Sequence, residues 1–136
     1  MLASPLLNGS LRHPDADIVL VEGEIEGNSG EDRMLIAPYH IHHADEEIFY
    51  ILSGQIGFVV GDDEFIAAAG DAVLVPPGAV HTWWSASESP ARYLIAMPKR
   101  LDGLITTLHN GSYGPENMAQ AFSDHDSTLI GWTRDT

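Results

Sequence analysis

Two histidines with a single residue between them mark the first place where this chain could do chemistry. His40 and His42 lie in the run Pro38-Tyr39-His40-Ile41-His42-His43-Ala44-Asp45-Glu46-Glu47. Side chains alternate along a strand, so these two imidazoles would stand side by side on one face. Glu47 follows at the head of an apolar run, Ile48-Phe49-Tyr50-Ile51-Leu52. A carboxylate carried into an interior there is costly unless a cation or hydrogen bonds meet it. A further histidine, His81, comes just after the tight Pro76-Pro77-Gly78 turn and starts the aromatic run His81-Thr82-Trp83-Trp84. The chain has no cysteine, which excludes disulfides, thiolate catalysis and zinc-finger-type sites. Any metal would be held by nitrogen and oxygen donors.

Strands must position these groups. Period-2 runs rich in β-branched and aromatic residues fill the middle of the chain at 33–37, 48–52, 56–60, 64–67, 72–75, 81–84 and 92–97, with an earlier one at 18–21. Turn chemistry separates them, at Ser53-Gly54, Gly61-Asp62-Asp63, Gly70-Asp71, Pro76-Pro77-Gly78 and Glu88-Ser89-Pro90. Many short strands at this spacing predict an antiparallel barrel or jelly roll. After Pro98 the period changes. Leu101, Leu104, Ile105 and Leu108 form one helical stripe, which Asn110-Gly111 can end. Pro115 suits a first helical turn, with Met118, Ala119 and Phe122 marking a second short helix. Leu129, Ile130 and Trp132 are apolar enough to dock back on the body, and the tail is expected to pack outside the barrel.

The two histidine clusters resemble the paired signature motifs of the cupin superfamily. The first family motif reads G-x5-H-x-H-x(3,4)-E-x6-G. His40, His42, Glu47 and Gly54 match it, while Met34 replaces its leading glycine. The second reads G-x5-P-x-G-x2-H-x3-N. Gly70, Pro76, Gly78 and His81 match in register, and Ser85 replaces the final asparagine. The resemblance covers about residues 33–97. It implies an all-β fold, the cupin double-stranded β-helix (a jelly-roll barrel) with short C-terminal helices. The chain is then one domain, residues 1–136, with a barrel core at about 18–97 and a helical tail at about 98–132. It also implies that His40, His42, Glu47 and His81 hold one divalent metal ion. Glu46 is the rival carboxylate; Glu47 keeps the six-residue step to Gly54 and shares a strand face with Phe49 and Ile51. Three neutral imidazoles and one carboxylate leave a divalent ion with net positive charge and open positions, and suit Fe, Mn, Ni, Co, Cu or Zn alike.

The stretch 45–54 further resembles small cupins akin to quercetinase-type dioxygenases. That implies a small aromatic, enolic or polyketide-like substrate, dioxygen as co-substrate, and Glu47 as a catalytic base. The alternatives are a redox-neutral isomerase, cyclase or lyase, and a non-catalytic small-molecule-binding module. Against a regulator, the chain shows no DNA-binding helix-turn-helix.

Other residues are read more plainly. Phe49 and Ile51 follow Glu47, and Trp83 follows His81, at strand spacing; they would face the metal and either bind substrate or form ordinary core. Tyr93, on one face with Ile95 and Met97, is a further substrate-binding candidate. His43 points away from His40 and His42. Arg33 and Arg92 are scarce cations, expected in surface ion pairs. His109 and His125 are expected to be solvated in the tail, and His13 to lie in a loop. The net charge is −14, from 20 acids and 6 bases. This opposes nucleic-acid and anionic-membrane partners. With no basic, apolar leader and no run of roughly 18 apolar residues, the expectation is a cytoplasmic protein. Small cupins commonly dimerise, so a homodimer is expected, with Leu2–Leu11 reaching a neighbour or covering the barrel.

Overall fold

The structure, a computed structural model, describes residues 1–30, 32–110 and 115–134, with Asn110, Pro115 and Glu116 described by their backbone alone. Among the described residues, ten strands and two helices follow one another as β1 (Ser10–Leu11), β2 (Ile18–Ile25), β3 (Tyr39–His42), β4 (Glu47–Ser53), β5 (Gln55–Val60), β6 (Asp63–Ala68), β7 (Ala72–Val75), β8 (His81–Ser85), β9 (Ala91–Pro98), α1 (Lys99–Asn110), α2 (Pro115–Asp124) and β10 (Ser127–Gly131). They build two five-stranded antiparallel sheets, ordered β1-β2-β9-β4-β7 and β10-β3-β8-β5-β6. This is the expected all-β jelly roll with short C-terminal helices.

Alternation decides what lies between the sheets. In β4, Glu47, Phe49 and Ile51 turn inward and are buried, while Ile48 and Tyr50 face out. Val73 and Val75 of β7, Ile95 and Met97 of β9 and Phe58 of β5 meet them in one core. Each such side chain, taken fully out of water, contributes roughly 1.5–3 kcal/mol. Turn glycines hold the barrel ends. Gly54 joins β4 to β5 at φ 75°, and a Cβ there would press to 2.7 Å from Ala91 backbone. Gly78 sits at φ 83° and donates its N–H to His42 O at 2.8 Å, tying the two histidine clusters together.

Three expectations need correction. Residues 33–37 are not a strand. The segment runs along β8 through an isolated bridge, Leu35 to Trp84, and single bonds such as Ile36 N–H to Trp83 O. Pro38, with no N–H to donate, stops a ladder from continuing into β3. The tail is not wholly helical: β10 returns antiparallel to β3, placing Ser127 opposite His42 and Leu129 opposite His40. Nor do the helices lie merely outside the barrel, because Leu101 and Leu104 of α1 and Phe122 of α2 are buried and close one end of its interior. The predicted Leu101 stripe is the face α1 buries, and Pro115 does begin α2. Gly111 lies outside the described residues. In α2 the small buried residue is Ala121; Ala119 is exposed. Of the N-terminal segment, Ser10 and Leu11 pair with β2 as β1, while Leu2 and Leu7 are exposed. Among the described residues, no helix is long and apolar enough to cross a membrane.

Candidate metal centre

The strands bring four potential ligands to one point. His40 pairs directly with His81 across β3 and β8, His42 lies two residues along β3 on the same face, and Glu47 enters from β4 in the opposite sheet. One ligand atom from each of His40, His42, Glu47 and His81 lies within 4.8 Å of the others, and all four residues are buried. The imidazole centroids are 4.7 Å apart for His40 and His42, 4.0 Å for His40 and His81, and 5.0 Å for His42 and His81. Glu47 Oε1 stands 3.0 Å from His81 Nε2 and 3.9 Å from His42 Nε2. Glu46 points outward and is exposed, so Glu47 is the carboxylate of this cluster.

Hydrogen bonding orients the rings. His40 Nδ1 meets Pro38 O at 2.6 Å and His81 Nδ1 meets Ala79 O at 3.0 Å. Carbonyl oxygens only accept, so both Nδ1 atoms carry the proton and both Nε2 lone pairs are free. His42 Nδ1 lies 2.7 Å from Ser127 Oγ. With Nδ1–H of His81 already used, its Nε2 and Glu47 Oε1 are two acceptors at hydrogen-bond distance. Either a proton or a cation must stand between them.

Burial favours the neutral form of His40 and His42. His40 is lowered well below 6.5, first by burial and then by the neighbouring His81 and His42, against a weaker pull from Pro38 O. His42 is lowered to about 4, again first by burial, with Glu47 opposing. The unfolded chain takes up these protons near 6.5, whereas the fold resists protonation of His42 to about 4 and lowers His40 in the same direction. Between those values the unfolded state binds more protons, so this part of the stability is present above 6.5 and is lost as pH falls. From pH 7 to 5, metal-free protein is expected to lose roughly 2 kcal/mol through His42 alone. Urea melts in chelator check this, and equal stabilities at the two pH values would contradict it.

Neutral imidazoles with converging lone pairs, second-sphere acceptors and one carboxylate fit a first-row divalent ion. Ligand atoms about 2.0–2.2 Å from one ion lie roughly 3–4.4 Å apart, close to the spacing here.

The cluster opens onto a cavity of about 370 Å³. His40, His42 and Glu47 reach its wall, as do Phe49, Trp83 and Tyr93. Phe49 packs on Trp83 at 5.3 Å and Trp83 on Tyr93 at 5.2 Å. Ile51 does not reach the cavity: it is fully buried core, beyond Phe49 along β4. Leu101, Leu104, Ile105 and Leu108 of α1, Met118 and Phe122 of α2, and Trp132 complete the lining. His109, expected to be merely solvated, also borders it. Among the described residues no lysine or arginine lines the cavity.

The remaining candidates sit elsewhere. His43 is exposed and bonds Thr128 Oγ1. Arg33 pairs with Glu64 and lies 3.7 Å over Trp84, and Arg92 pairs with the buried Glu22. His13 lies in the loop before β2 and accepts from Asp15 N–H. His125 is half-buried and bonds Ala121 O at 2.7 Å, instead of being solvated. Ser85 is buried and reaches Ser87 O. Sequence reasoning missed Ser127 and the helical cover. The β-branched and apolar run Thr128-Leu129-Ile130 was the available signal for β10.

The Cupin domain family profile matches residues 33–97. A solved cupin protein from Bacteroides fragilis superposes with a TM-score of 0.50 at 21% identity, over 61% of this chain and 66% of that one. Residues 33–97 are thus a cupin domain, and the two sheets are the double-stranded β-helix of that fold. A protein of Acidithiobacillus ferrooxidans, provisionally named a sugar phosphate isomerase, superposes with a TM-score of 0.52 at 25% identity, over 61% of this chain and 51% of that one. In sequence, the "Probable germin-like protein subfamily 2 member 5" of Arabidopsis thaliana is 32% identical over 93 residues, 62% of this chain. The chain spans 43% of the length of that relative.

Proposed function

We propose that this protein is a metal-dependent dioxygenase acting on a small aromatic, enolic or polyketide-like substrate. The observation that carries the reading is the buried cluster of His40, His42, Glu47 and His81 at the wall of an apolar cavity. When bound, one divalent ion would supply Lewis acidity toward a substrate oxygen and, if redox-active, electron exchange with dioxygen. The side chains do the rest. Glu47 takes the proton of the enol or phenol, because its Oε1 faces the cluster at the cavity wall. Phe49 and Trp83 hold the flat apolar body, and α1 and α2 keep bulk water from it. The Tyr93 hydroxyl lies against Gly23, where even a Cβ would stand 2.4 Å away. No protein partner holds that hydroxyl among the described residues, so it is available to a polar group of the substrate.

The lining also argues against an anionic sugar phosphate. With no lysine or arginine on the wall among the described residues, a phosphate would enter uncompensated. The test is metal-free protein loaded in turn with Fe(II), Mn(II), Co(II), Ni(II), Cu(II) and Zn(II), given a panel of enols and phenols without oxygen, then exposed to it. Oxygen uptake matched to product carrying both oxygen atoms supports the reading. Turnover without oxygen, and equally with Zn(II), would replace it with redox-neutral isomerase, cyclase or lyase chemistry. Ligand binding that survives removal of the metal, with no turnover, would leave a binding module.

We also propose a homodimer through the outer face of the β1-β2-β9-β4-β7 sheet. Ile18, Ile48, Tyr50 and Leu74 are 70%, 45%, 43% and 57% exposed there, with Ile48 opposite both Leu74 and Ala96. A contiguous exposed apolar face of this kind is a candidate contact with another protein surface. The patch itself is mainly apolar, with Asp17 and Glu46 beside Ile18 and Ile48, so it is where two copies each carrying −14 repel least. Sedimentation is expected to show a dimer, and Ile48→Glu with Leu74→Glu a monomer; a monomeric wild type would end the proposal.

A further inference from the structure

His42 takes its hydrogen-bond partner from the far end of the chain. His40 and His81 are each oriented by a carbonyl two residues earlier, at Pro38 and Ala79. His42 is instead held by Ser127 Oγ, 85 positions away. Ser127 is its direct partner across β3 and β10 and is 4% exposed. The residues that deliver Ser127 are fixed in turn. His125 bonds Ala121 O at the end of α2, and its N–H reaches Phe122 O. Asp126 then reverses the chain at φ 54°, a left-handed conformation that aspartate tolerates, and its carbonyl accepts His43 N–H at 3.0 Å.

Proton accounting gives this contact a direction. Ser127 Oγ also lies 3.1 Å from His125 O, which can only accept. The one hydroxyl proton therefore goes to His125 O, and the lone pair of Oγ accepts from His42 Nδ1–H. The ring of His42 is thereby fixed with Nε2 unprotonated and turned toward Glu47 and His81.

We propose that Ser127 is a positioning residue for metal capture: through Nδ1 it fixes the tautomer and orientation of His42, so that strand β10, beyond the 33–97 motif region, completes the metal site. This rests on the cluster binding a divalent ion, as proposed above. Its consequence is that metal affinity depends on the docking of α2 and β10, although neither contributes a ligand.

The test combines ¹⁵N-histidine NMR of metal-free protein with Co(II) titration followed by its visible absorption, for wild type, Ser127→Ala and Ser127→Thr. Wild type is expected to show His42 protonated at Nδ1. Ser127→Ala is expected to mix the two His42 tautomers, leave those of His40 and His81 unchanged, and weaken Co(II) binding by about 10–100-fold. Ser127→Thr, which keeps the hydroxyl, should restore both readings. A wild-type His42 protonated at Nε2 overturns the proposal even if the variants do not fold. So does a folded Ser127→Ala that binds Co(II) as wild type does. A wild type that binds no Co(II), Zn(II) or Fe(II) overturns the metal reading itself, a different failure from an unaffected Ser127→Ala.

Discussion

Glu47→Gln is expected to weaken divalent-metal binding by about 100-fold while the metal-free fold stays intact. Structural sites of four ligands hold Zn(II) with roughly 10–16 kcal/mol, so one ligand accounts for about 3 kcal/mol or more. Glu47 is the only anion of its cluster, at 3.0 Å from His81 Nε2 and buried from water. Without its charge, the ion would keep its full double positive charge in a site that three neutral rings cannot neutralise. The same exchange is mild in metal-free protein. Glutamine has the same shape, and its amide N–H can donate to the free Nε2 of His81. The signature is thus a split between two measurements. At an ion concentration 100 times the wild-type Kd, binding stabilises wild type by about 2.7 kcal/mol and the variant by about 0.4 kcal/mol. Unfolding in chelator should not separate the two proteins. Glu46→Gln, altering the exposed neighbour, is the control and should behave as wild type. Equal metal-dependent stabilisation of Glu47→Gln and wild type would remove Glu47 from the ligand set.

What the sequence disclosed about this site depended on the range of the interactions involved. His40 and His42 share a face because strands alternate, and Glu47 buries with Phe49 for the same reason; such relations are local and can be read from spacing. The pairing of His40 with His81 is long-range, but the turn at Gly78 constrains the approach, and the motif preserves that constraint. Ile51 shows where periodicity stops. It shares the inward face with Phe49, yet depth along the strand, which no period encodes, separates cavity wall from core. Residues 33–37 read as a strand by composition and still form no ladder, because Pro38 interrupts the register and Arg33 is drawn over Trp84. The largest gap was the tail. Leu101, Leu104 and Leu108 announce an apolar helix face without saying what it covers. Ser127 looks like an ordinary polar residue until β10 is paired with β3.

That pairing makes Phe122 the residue through which the tail is most open to test, and Phe122→Ala is expected to cost about 3–5 kcal/mol. Its ring is 3% exposed, packed with Leu104 and Ala121 and flanked by Leu108, Met118 and Leu129. It also stands edge-on to His40, at 5.3 Å and 64° between planes. Alanine would remove the side chain that joins α2 to α1, to β10 and to the histidine cluster together. A domain of this size has about 5–15 kcal/mol in total, so the variant should remain folded at room temperature but melt far earlier. The loss should concentrate in the tail: hydrogen exchange is expected to quicken in α2 and β10 while β4, β5 and β9 stay protected. Metal affinity should fall with it, although Phe122 carries no ligand atom, because His125 and Ser127 depend on the turn that α2 anchors. Phe122→Leu, which fills most of the same space, should recover most of the stability and the affinity. A Phe122→Ala protein that loses less than about 1 kcal/mol would mean that α2 does not close the barrel. Both the closed end of the cavity and the role assigned to β10 would then need another explanation.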